Sequence, residues 1–318
     1  MKKECFVGFD TSNYTTSIAV SDASGEIVAN LKAPLPVKAG ERGLRQSDAL
    51  FAHVKNLPTL SEKLSEVLTK NDLLPIAVGV SSRPRDVEGS YMPCFLGGVA
   101  AAHSFAAAND LPIYEFSHQS GHIMAAAYSS GEADKLLTSQ FLAFHVSGGT
   151  TEALLVKSEG ISFSAELVGH TLDINAGQLI DRVGVALGLS FPCGAALEAL
   201  ASEYDGVTEK SLLSVKDGCC NLSGFENKAI KLYEKTGDSR AVAAYVFDSV
   251  CRTLIKMGEQ ITDKYGKMPV LFAGGVMSNK YMRAKLSEKF EAYFSEPAFS
   301  ADNAAGIALL CRRKHIDK

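Results

Sequence analysis

The residues best suited to chemistry lie in a short turn, Ser147-Gly148-Gly149-Thr150-Thr151, which is flanked by two apolar runs rich in β-forming residues. This pattern predicts a strand, a tight turn and a second strand. Because glycine has no Cβ atom, the backbone of such a turn can come close to a ligand. Its N–H groups and the neighbouring hydroxyls can then face phosphate oxygens. An ordinary β-hairpin with a glycine turn gives the same pattern, so the turn alone supports both interpretations.

A pair of histidines gives a second candidate site. His118 and His122 are four residues apart in a segment that begins like a helix, with Ser117 in the N-cap position. On a helix this spacing places both imidazoles on one face, where they can bind one metal ion. A third ligand is needed to complete such a site.

Two further turns are similar in composition to the first one. Near the N-terminus, a buried strand ends at Asp10 and continues into a polar turn at Thr11 and Ser12. Later, a strand predicted at residues 270–273 runs into Gly274-Gly275 before a helix, an arrangement that suits contact with the sugar or base of a nucleotide. The turns near residues 11 and 148 are corresponding points of a distant internal duplication. Facing each other across a cleft, they would hold a phosphate chain from both sides.

The elements around these turns predict two α/β lobes, each a strand–turn–strand meander followed by strands that alternate with helices. The first lobe comprises residues 1–138, with a C-terminal helix at 300–316 packing back onto it, and the second comprises 139–299. Within the first lobe, residues 48–69 have apolar residues at helical spacing interrupted by Pro58, which predicts a helix, a break and a second helix. Residues 82–93 form a polar loop, either a functional edge or a solvated connection.

The composition argues against several classes of protein. Of the 318 residues, 46% are hydrophobic and 21% are charged, and the net charge is −4. This charge does not support a general nucleic-acid or membrane-surface binder, although a local basic groove is compatible with it. Seven scattered cysteines without a C-x-x-C pattern argue against a disulfide framework and fit a reducing cytoplasm. The N-terminal segment is not typical of a signal peptide, and we expect no membrane association.

Taken together, the motifs resemble those of the TsaD family, nearly from end to end of the chain. Members of this family were long regarded as O-sialoglycoprotein endopeptidases and are understood as threonylcarbamoyl transferases that make N6-threonylcarbamoyladenosine in tRNA. Each motif is weak alone, but their common order is specific. They are Gly8-Phe9-Asp10-Thr11-Ser12, His118-x-x-Gly121-His122, Val146-Ser147-Gly148-Gly149, Asp173 with Ala176-Gly177 and Asp181, Leu187-Gly188-Leu189, Pro192-x-Gly194, Ser223-Gly224, Ala273-Gly274-Gly275-Val276 with Asn279, and Asp302-Asn303.

The resemblance implies the two-lobed actin-like ATPase fold of sugar kinases, chaperones and actin, with a central nucleotide cleft. It implies transfer of the threonylcarbamoyl group from threonylcarbamoyl-AMP to N6 of adenosine in tRNA, dependent on one divalent ion, iron or zinc. The ligands of that ion would be His118, His122 and Asp302. The implied partners are tRNA, other proteins of the threonylcarbamoyladenosine pathway and a homologous actin-like protein. The implied nucleotide or substrate contacts are Asp10, Thr11, Ser12, His145, Val146, Ser147, Gly148, Gly149, Thr150, Asp181, Gly194, Gly274, Gly275 and Asn279.

Some positions depart from the family pattern around the reacting centre. The family usually has an acidic pair where this chain has Tyr14 and Thr15, a histidine at the position of Thr150, and a second aspartate at the position of Ile174. Its Gly-Pro-Gly segment is replaced here by Arg-Pro-Arg at residues 83–85. Such changes fit a divergent active enzyme, and they also fit a paralogue that binds nucleotide and metal in a regulatory or scaffold role.

Two other functions are less consistent with the residues. A glycoprotease of the zinc type would need the general-base glutamate of H-E-x-x-H, whereas this chain has Gln119-Ser120-Gly121 between the histidines. A sugar kinase shares the fold, but fold does not determine function, and a metal-binding histidine pair is not part of kinase chemistry.

Overall fold

The computed structural model describes residues 2–12, 14–36, 44–160, 162–299 and 304–316. The contacts between backbone positions divide the chain into two compact units. Unit 1 consists of Met1–Ala133, Ser158–Ser164 and Ala298–Lys318, and unit 2 consists of Asp134–Lys157 and Ala165–Pro297. Each unit has its own sheet and its own hydrophobic core.

Unit 1 contains a mixed five-stranded sheet of order β3-β2-β1-β4-β5. The first three strands form an antiparallel meander, and β4 and β5 add to the other side of β1 in parallel. Because β1 is central and covered on both faces, its residues are buried without alternation from Cys5 to Ser12, and Cys5–Phe9 form a continuous apolar run. The strands are β1 (Lys3–Ser12), β2 (Thr15–Asp22), β3 (Ile27–Pro34), β4 (Leu73–Arg83) and β5 (Ile113–Ser117).

The parallel order of β1, β4 and β5 determines where the candidate residues of unit 1 lie. The carboxyl ends of parallel strands meet at one edge of a sheet, which is where open α/β sheets bind ligands. Asp10 is near the end of β1, the loop at residues 83–93 follows β4, and His118 follows β5. The helices of unit 1 are α1 (Gln46–Lys70), α2 (Phe95–Ala108), α3 (His118–Ser129) and α10 (Ala305–Ile316).

The predicted break at Pro58 is wrong, since α1 is one continuous helix of 25 residues. A proline inside a helix removes one hydrogen bond and costs about 3 kcal/mol. Here Pro58 lies on the exposed face, where water can solvate the carbonyl that loses its partner. On the opposite face, Leu57, Leu60 and Leu64 pack into the core of unit 1 at helical spacing. This packing outweighs the local penalty.

Unit 2 repeats the strand order of unit 1, because its sheet has the order β12-β11-β6-β7-β8. β6 and β7 are antiparallel, whereas β11 is parallel to both β6 and β12. The β1–β2 and β6–β7 connections therefore occupy corresponding places, each between the first two strands of its sheet. The strands are β6 (Phe141–Val146), β7 (Thr151–Glu159), β8 (Ser162–His170), β11 (Val270–Ala273) and β12 (Ala292–Phe294), with a hairpin of β9 (Ser214–Lys216) and β10 (Cys219–Asn221).

The helices of unit 2 pack on its sheet through an apolar cluster in which α5, α7 and α8 supply many of the buried side chains. None of the helices in the described part of the chain is long and apolar enough to cross a membrane. The remaining helices, in chain order, are α4 (Ala133–Leu137), α5 (Ala176–Ala186), α6 (Gly194–Ser202), α7 (Ser223–Thr236), α8 (Ser239–Tyr265) and α9 (Lys280–Ser287).

In unit 1, α10 lies against the backbone of α3 next to the histidine pair. A Cβ atom added at Gly306 would be 1.8 Å from the carbonyl oxygen of Gly121, so the two helices touch without side chains between them. On the sheet, a Cβ atom at Gly8 would be 2.5 Å from the backbone nitrogen of Ala308. Glycine is required at these positions because only its absent side chain permits such close approach.

Candidate functional site

The two histidines of unit 1 converge on one point. Ser117 caps α3, and its hydroxyl accepts a hydrogen bond from the Ser120 N–H at 3.0 Å. His118 is the first residue of the helix, and His122 follows one turn later on the same face. Their Nε2 atoms are 2.9 Å apart, and their ring centroids are 4.3 Å apart.

Asp10 determines which nitrogen of His118 is available. Its carboxylate is fully buried, and Oδ2 is 3.2 Å from His118 Nδ1 and accepts a hydrogen bond from the Ser12 hydroxyl at 3.0 Å. A carboxylate can only accept at this contact, so Nδ1 carries a proton, and in the neutral imidazole Nε2 keeps its lone pair. This carboxylate–histidine arrangement is the one that orients imidazoles toward metal ions. Asp10 therefore lies behind His118, a placement that the sequence did not predict.

The donor set fits a transition metal. Two imidazole nitrogens at about 2.05 Å from a tetrahedral ion would be about 3.3 Å apart, close to the observed separation. Oδ1 of Asp10 is buried and has no hydrogen bond to any described residue, which leaves a negative charge beside the pair that a cation would offset. Within the described ranges, no three His, Cys, Asp or Glu side chains come together as a complete metal site. The predicted third ligand, Asp302, lies outside the described residues.

The side chains of Thr11 and Ser12, which were predicted to contact phosphate, point into unit 1. The hydroxyl of Thr11 donates to the Cys94 carbonyl at 3.0 Å and accepts from the Gly98 N–H at 3.0 Å, so it holds the first turn of α2. A side chain at Gly98 would be 2.7 Å from the same hydroxyl oxygen. Because Thr11 and Ser12 are fully buried, the structure assigns them hydrogen bonds within the protein.

In unit 2, the glycine turn is closed on itself. The N–H groups of Gly149 and Thr150 donate to the Ser147 hydroxyl at 3.2 and 3.1 Å, and Ser147 N–H donates to the Thr150 carbonyl at 2.7 Å. Gly148 and Gly149 are exposed, and no atom of another described residue lies within 4 Å of the place where either would carry a side chain. The turn therefore presents bare backbone to solvent, while two of its amides are engaged by Ser147.

The turn is fixed by the first residues of α5. Gly177 N–H donates to the Ser147 carbonyl at 3.1 Å, and Ala176 N–H donates to the Thr151 hydroxyl at 2.9 Å. A Cβ atom at Gly177 would be 2.6 Å from the nitrogen of Gly148, so the helix can touch the turn only through glycine. On the strand that leads to the turn, His145 is half-buried and Val146 is fully buried.

The second Gly-Gly turn of unit 2 adjoins the first one. β6 and β11 are parallel neighbours in which His145 pairs with Ala273, so their following turns share one edge of the sheet. Gly274 has φ of +100°, and a Cβ atom there would be 2.2 Å from the Val146 carbonyl oxygen. Gly275 is exposed, and as at Gly148 no atom of another described residue lies within 4 Å of the place where a side chain would be.

The other predicted nucleotide contacts lie along three connected helices of unit 2. Asp181 of α5 accepts the Cys193 N–H at 2.8 Å and so fixes the start of α6, where Gly194 is open to solvent. Glu198 of α6 accepts the Lys280 N–H at the start of α9 at 2.8 Å. Glu198 was not singled out in the sequence, because nothing local indicates a contact 82 residues away.

Asn279 and Asp173 are both used at the ends of helices in unit 2. Asn279 caps α9 through Oδ1, while its buried Nδ2 has no hydrogen-bond partner among the residues that the structure describes. Asp173 accepts from the N–H groups of Leu222 and Ser223 and from the Ser223 hydroxyl at 2.8, 3.0 and 2.5 Å. Burial opposes ionisation, but these hydrogen bonds outweigh it and lower the pKa of Asp173 to about 2. Its neighbour Ile174 packs against the core of unit 2.

Structural comparison identifies the fold. The chain is similar to a crystal structure of full-length HypF in the phosphate- and nucleotide-bound form, with a TM-score of 0.58 and 14% identity over 98% of this chain and 56% of the HypF chain. It is also similar to a ROK family transcriptional regulator, with a TM-score of 0.53 and 14% identity over 99% of this chain and 80% of the other. The predicted actin-like ATPase fold is thus confirmed.

Sequence comparison identifies the family. Proteins named tRNA N6-adenosine threonylcarbamoyltransferase from Streptococcus suis (strain 05ZYH33) and Streptococcus pneumoniae (strain Taiwan19F-14) are each 29% identical to the chain. The alignments cover 97% of this chain and 92% and 91% of those proteins. The family model described as TsaD, tRNA N6-adenosine threonylcarbamoyltransferase, matches residues 37–309. The match extends over most of the chain, and we conclude that the chain belongs to the TsaD family.

Proposed function

We propose that this protein transfers the threonylcarbamoyl group from threonylcarbamoyl-AMP to N6 of adenosine in tRNA. The observation that carries the proposal is the family match over residues 37–309. The oriented pair of His118 and His122 supports it, because a transferase of this kind needs a group that polarises a carbonyl. As part of the proposal, other proteins of the threonylcarbamoyladenosine pathway and a homologous actin-like protein act with it.

The reaction is an acyl-type transfer. The adenine N6 attacks the carbamoyl carbon of threonylcarbamoyl-AMP, the bond from that carbon to the phosphate oxygen breaks, and AMP leaves with the bonding electrons. N6 loses one proton to a base. This chemistry requires stabilisation of negative charge on the carbonyl oxygen and on the departing phosphate.

The residues of unit 1 fit a role in binding the metal. In the proposal, His118 and His122 hold iron or zinc through Nε2, with Asp302 as the third ligand. Such an ion supplies Lewis-acid polarisation of a carbonyl oxygen. Asp10 keeps the proton on Nδ1 of His118, so Nε2 stays unprotonated and the ring keeps its direction.

The residues of unit 2 fit a role in binding the nucleotide. In the proposal, phosphate oxygens replace the Ser147 hydroxyl as acceptors for the N–H groups of Gly149 and Thr150. The exposed backbone of Gly275 lies on the same sheet edge and is free of steric obstruction for a sugar or base. Asp181 contributes by fixing the chain before Gly194.

The experiment is a reconstituted modification assay. The full chain, its pathway partners, threonylcarbamoyl-AMP and unmodified tRNA are combined, and N6-threonylcarbamoyladenosine is quantified by mass spectrometry. We expect modified adenosine with the wild-type chain and none with His118→Ala combined with His122→Ala. Absence of product from the wild-type chain, in a mixture where a bacterial relative gives product, would contradict the proposal.

A second candidate function is a regulatory or scaffold role in which nucleotide is bound but not turned over. It is motivated by the turn of unit 2, where Thr150 stands in place of the usual histidine and its amide is engaged by Ser147. This alternative predicts that adenine nucleotides raise the melting temperature without product formation. Measurable transfer to tRNA would exclude it.

A further inference from the structure

The loop after β4 is fastened to the first turn of α3. Oδ2 of Asp86 accepts hydrogen bonds from the hydroxyls of Ser117 and Ser120 at 2.6 and 2.7 Å. Its Oδ1 pairs with the Arg83 guanidinium, at 2.6 Å from Nη2 and 3.0 Å from Nε. The carbonyl of Pro84 accepts the N–H of Gln119 at 3.0 Å. Asp86 and Pro84 therefore bind Ser117, Gln119 and Ser120, on both sides of His118 in the sequence.

The two serines and Asp86 form one hydrogen-bonded cluster. The Ser120 hydroxyl donates to Asp86, and the Ser117 hydroxyl lies within hydrogen-bond distance of both Asp86 Oδ2 and the Ser120 oxygen, at 2.6 and 2.8 Å. The Ser117 oxygen accepts the Ser120 N–H that caps the helix. Burial opposes ionisation of Asp86, but the two hydroxyls and the Arg83 guanidinium outweigh it and lower the pKa of the carboxyl. A carboxylate at this position is further stabilised by the positive end of the helix dipole.

Asp86 and Asp10 constrain His118 in complementary ways. Asp10 fixes the rotation of the His118 ring through Nδ1. Asp86 fixes the backbone from which that ring projects, because it holds the residue before His118 and the residue two positions after it. His122 is one turn further along the same helix, so the separation of the two Nε2 atoms depends on that turn being intact.

We infer that Asp86 is a positioning residue for the histidine pair, and that Arg83 orients Asp86 for this role. The inference rests on the proposed function, since it takes His118 and His122 as metal ligands. It gives the Arg-Pro-Arg segment at residues 83–85 a structural role. Arg83 binds Asp86, and Pro84 accepts the Gln119 N–H, so the segment holds the loop against the helix that carries the ligands and is more than a solvated connection. The side chain of Asp86 is 40% exposed, so the effect of losing it falls on geometry more than on overall stability.

The test compares Asp86→Asn and Ser120→Ala with a matched control, Asp238→Asn. Asp238 is also a helix-capping aspartate paired with an arginine, because it accepts the Arg240 N–H at 2.9 Å and lies 3.1 Å from Arg240 Nε, but it caps α8 in unit 2. The control therefore removes the same kind of contact from a helix without the histidines. All variants are made in the full chain.

The first readout is the affinity for Zn²⁺, measured by competition with a chromophoric chelator. Loss of a group that orients metal ligands weakens binding 10–100-fold, and we expect about tenfold for Asp86→Asn. Ser120→Ala should weaken Zn²⁺ binding by a smaller factor. The variant that combines Asp86→Asn with Ser120→Ala should lose less affinity than the product of the two separate factors, because both changes remove the same hydrogen bond. Asp238→Asn should retain the wild-type affinity.

The second readout does not depend on metal. In the metal-free protein, hydrogen exchange of the backbone amides at residues 118–122 should be faster in Asp86→Asn and unchanged in Asp238→Asn. Zinc affinity and exchange that are both unaltered in Asp86→Asn would overturn the inference and leave the metal proposal standing. Equal losses of affinity in Asp86→Asn and Asp238→Asn would also overturn it. A wild-type chain that binds neither Zn²⁺ nor Fe²⁺ would overturn the metal proposal and the inference together.

Discussion

Replacement of Gly306 by alanine should destabilise unit 1, although the same change usually stabilises a helix. Alanine is favoured over glycine by about 1 kcal/mol inside a helix, so helix propensity alone predicts a gain. In α10, however, the new Cβ atom would be 1.8 Å from the Gly121 carbonyl oxygen. A tolerable contact needs about 3.3 Å, so α10 and α3 must separate by roughly 1.5 Å.

The expected loss follows from that displacement. Extra atoms in a closely packed interior typically cost about 1–3 kcal/mol, and here the obstacle is backbone on both sides and cannot rotate away. We expect a net loss of about 2 kcal/mol in the free energy of unfolding, or roughly 4–8 °C in the melting temperature of unit 1. Gly121 also precedes His122 directly, so the zinc affinity of Gly306→Ala should fall as well.

Calorimetry and circular dichroism measure the effect, with Gly224→Ala as the matched control. Gly224 is also a helical glycine, in the first turn of α7, but no atom lies within 4 Å of its missing side chain. This variant should be unchanged or more stable by up to about 1 kcal/mol. If Gly306→Ala proved as stable as Gly224→Ala and bound zinc normally, the backbone contact between α10 and α3 would be refuted.

Three other predictions concern single side chains. Because the pKa of Asp173 is lowered to about 2, its contribution to stability is present above the ordinary aspartate pKa and is lost as the pH falls through 2. Asp173→Asn should therefore lower the free energy of unfolding by up to about 1 kcal/mol at pH 7, a value already reduced for the exposure of the side chain. In urea unfolding near pH 2 it should match the wild type. Gly177→Ala places a Cβ atom 2.6 Å from Gly148 N and should weaken adenine nucleotide binding at least tenfold in calorimetric titration, whereas an unchanged affinity would place the nucleotide elsewhere. Asp10→Asn should weaken zinc binding about 10–100-fold by competition assay, because His118 loses the charged partner that fixes its tautomer; retention of affinity would show that Asp10 does not orient it.

Much of the fold could be predicted because its signals are local. The strand–turn–strand meanders, the strand at Val270–Ala273 and the start of α9 at Lys280 follow from alternation, Gly-Gly turns and an N-cap residue, and the structure confirms these elements. The actin-like plan follows from the repeated order of such elements along the chain. Patterns of this kind need only neighbouring residues.

The errors occurred where packing between distant segments decides the outcome. Pro58 was predicted to break α1, but the apolar face of the helix maintains it. The start of α5 at Ala176 depends on such contacts as well, because Asp173 holds the start of α7 and Asn175 caps α5. The β9–β10 hairpin was missed, since strands of three residues carry too little alternation to recognise.

The arrangement of the candidate residues was less predictable than their identity. The sequence indicated the histidine pair and the glycine turns, because those depend on residue type and short spacing. It could not indicate that Asp10 would contact His118, or that Thr11 would hold α2 from 87 residues away at Gly98. Such contacts arise from sheet order, which brings together segments that are distant in sequence.

The discontinuity of unit 1 has a consequence for synthesis on the ribosome. Strands β1 and β4 emerge early, but α10, whose backbone fits against Gly8 and Gly121, is translated after the other helices and strands described above. Until then the nascent chain exposes the apolar surface that α10 covers, including Ala19 and Ile27. Both segments of unit 2 precede α10 in the sequence, so unit 2 is complete before that helix leaves the exit tunnel. The histidine-bearing unit therefore closes only after unit 2 has been synthesised, and a chaperone that shields exposed apolar surface would act on this protein during that interval.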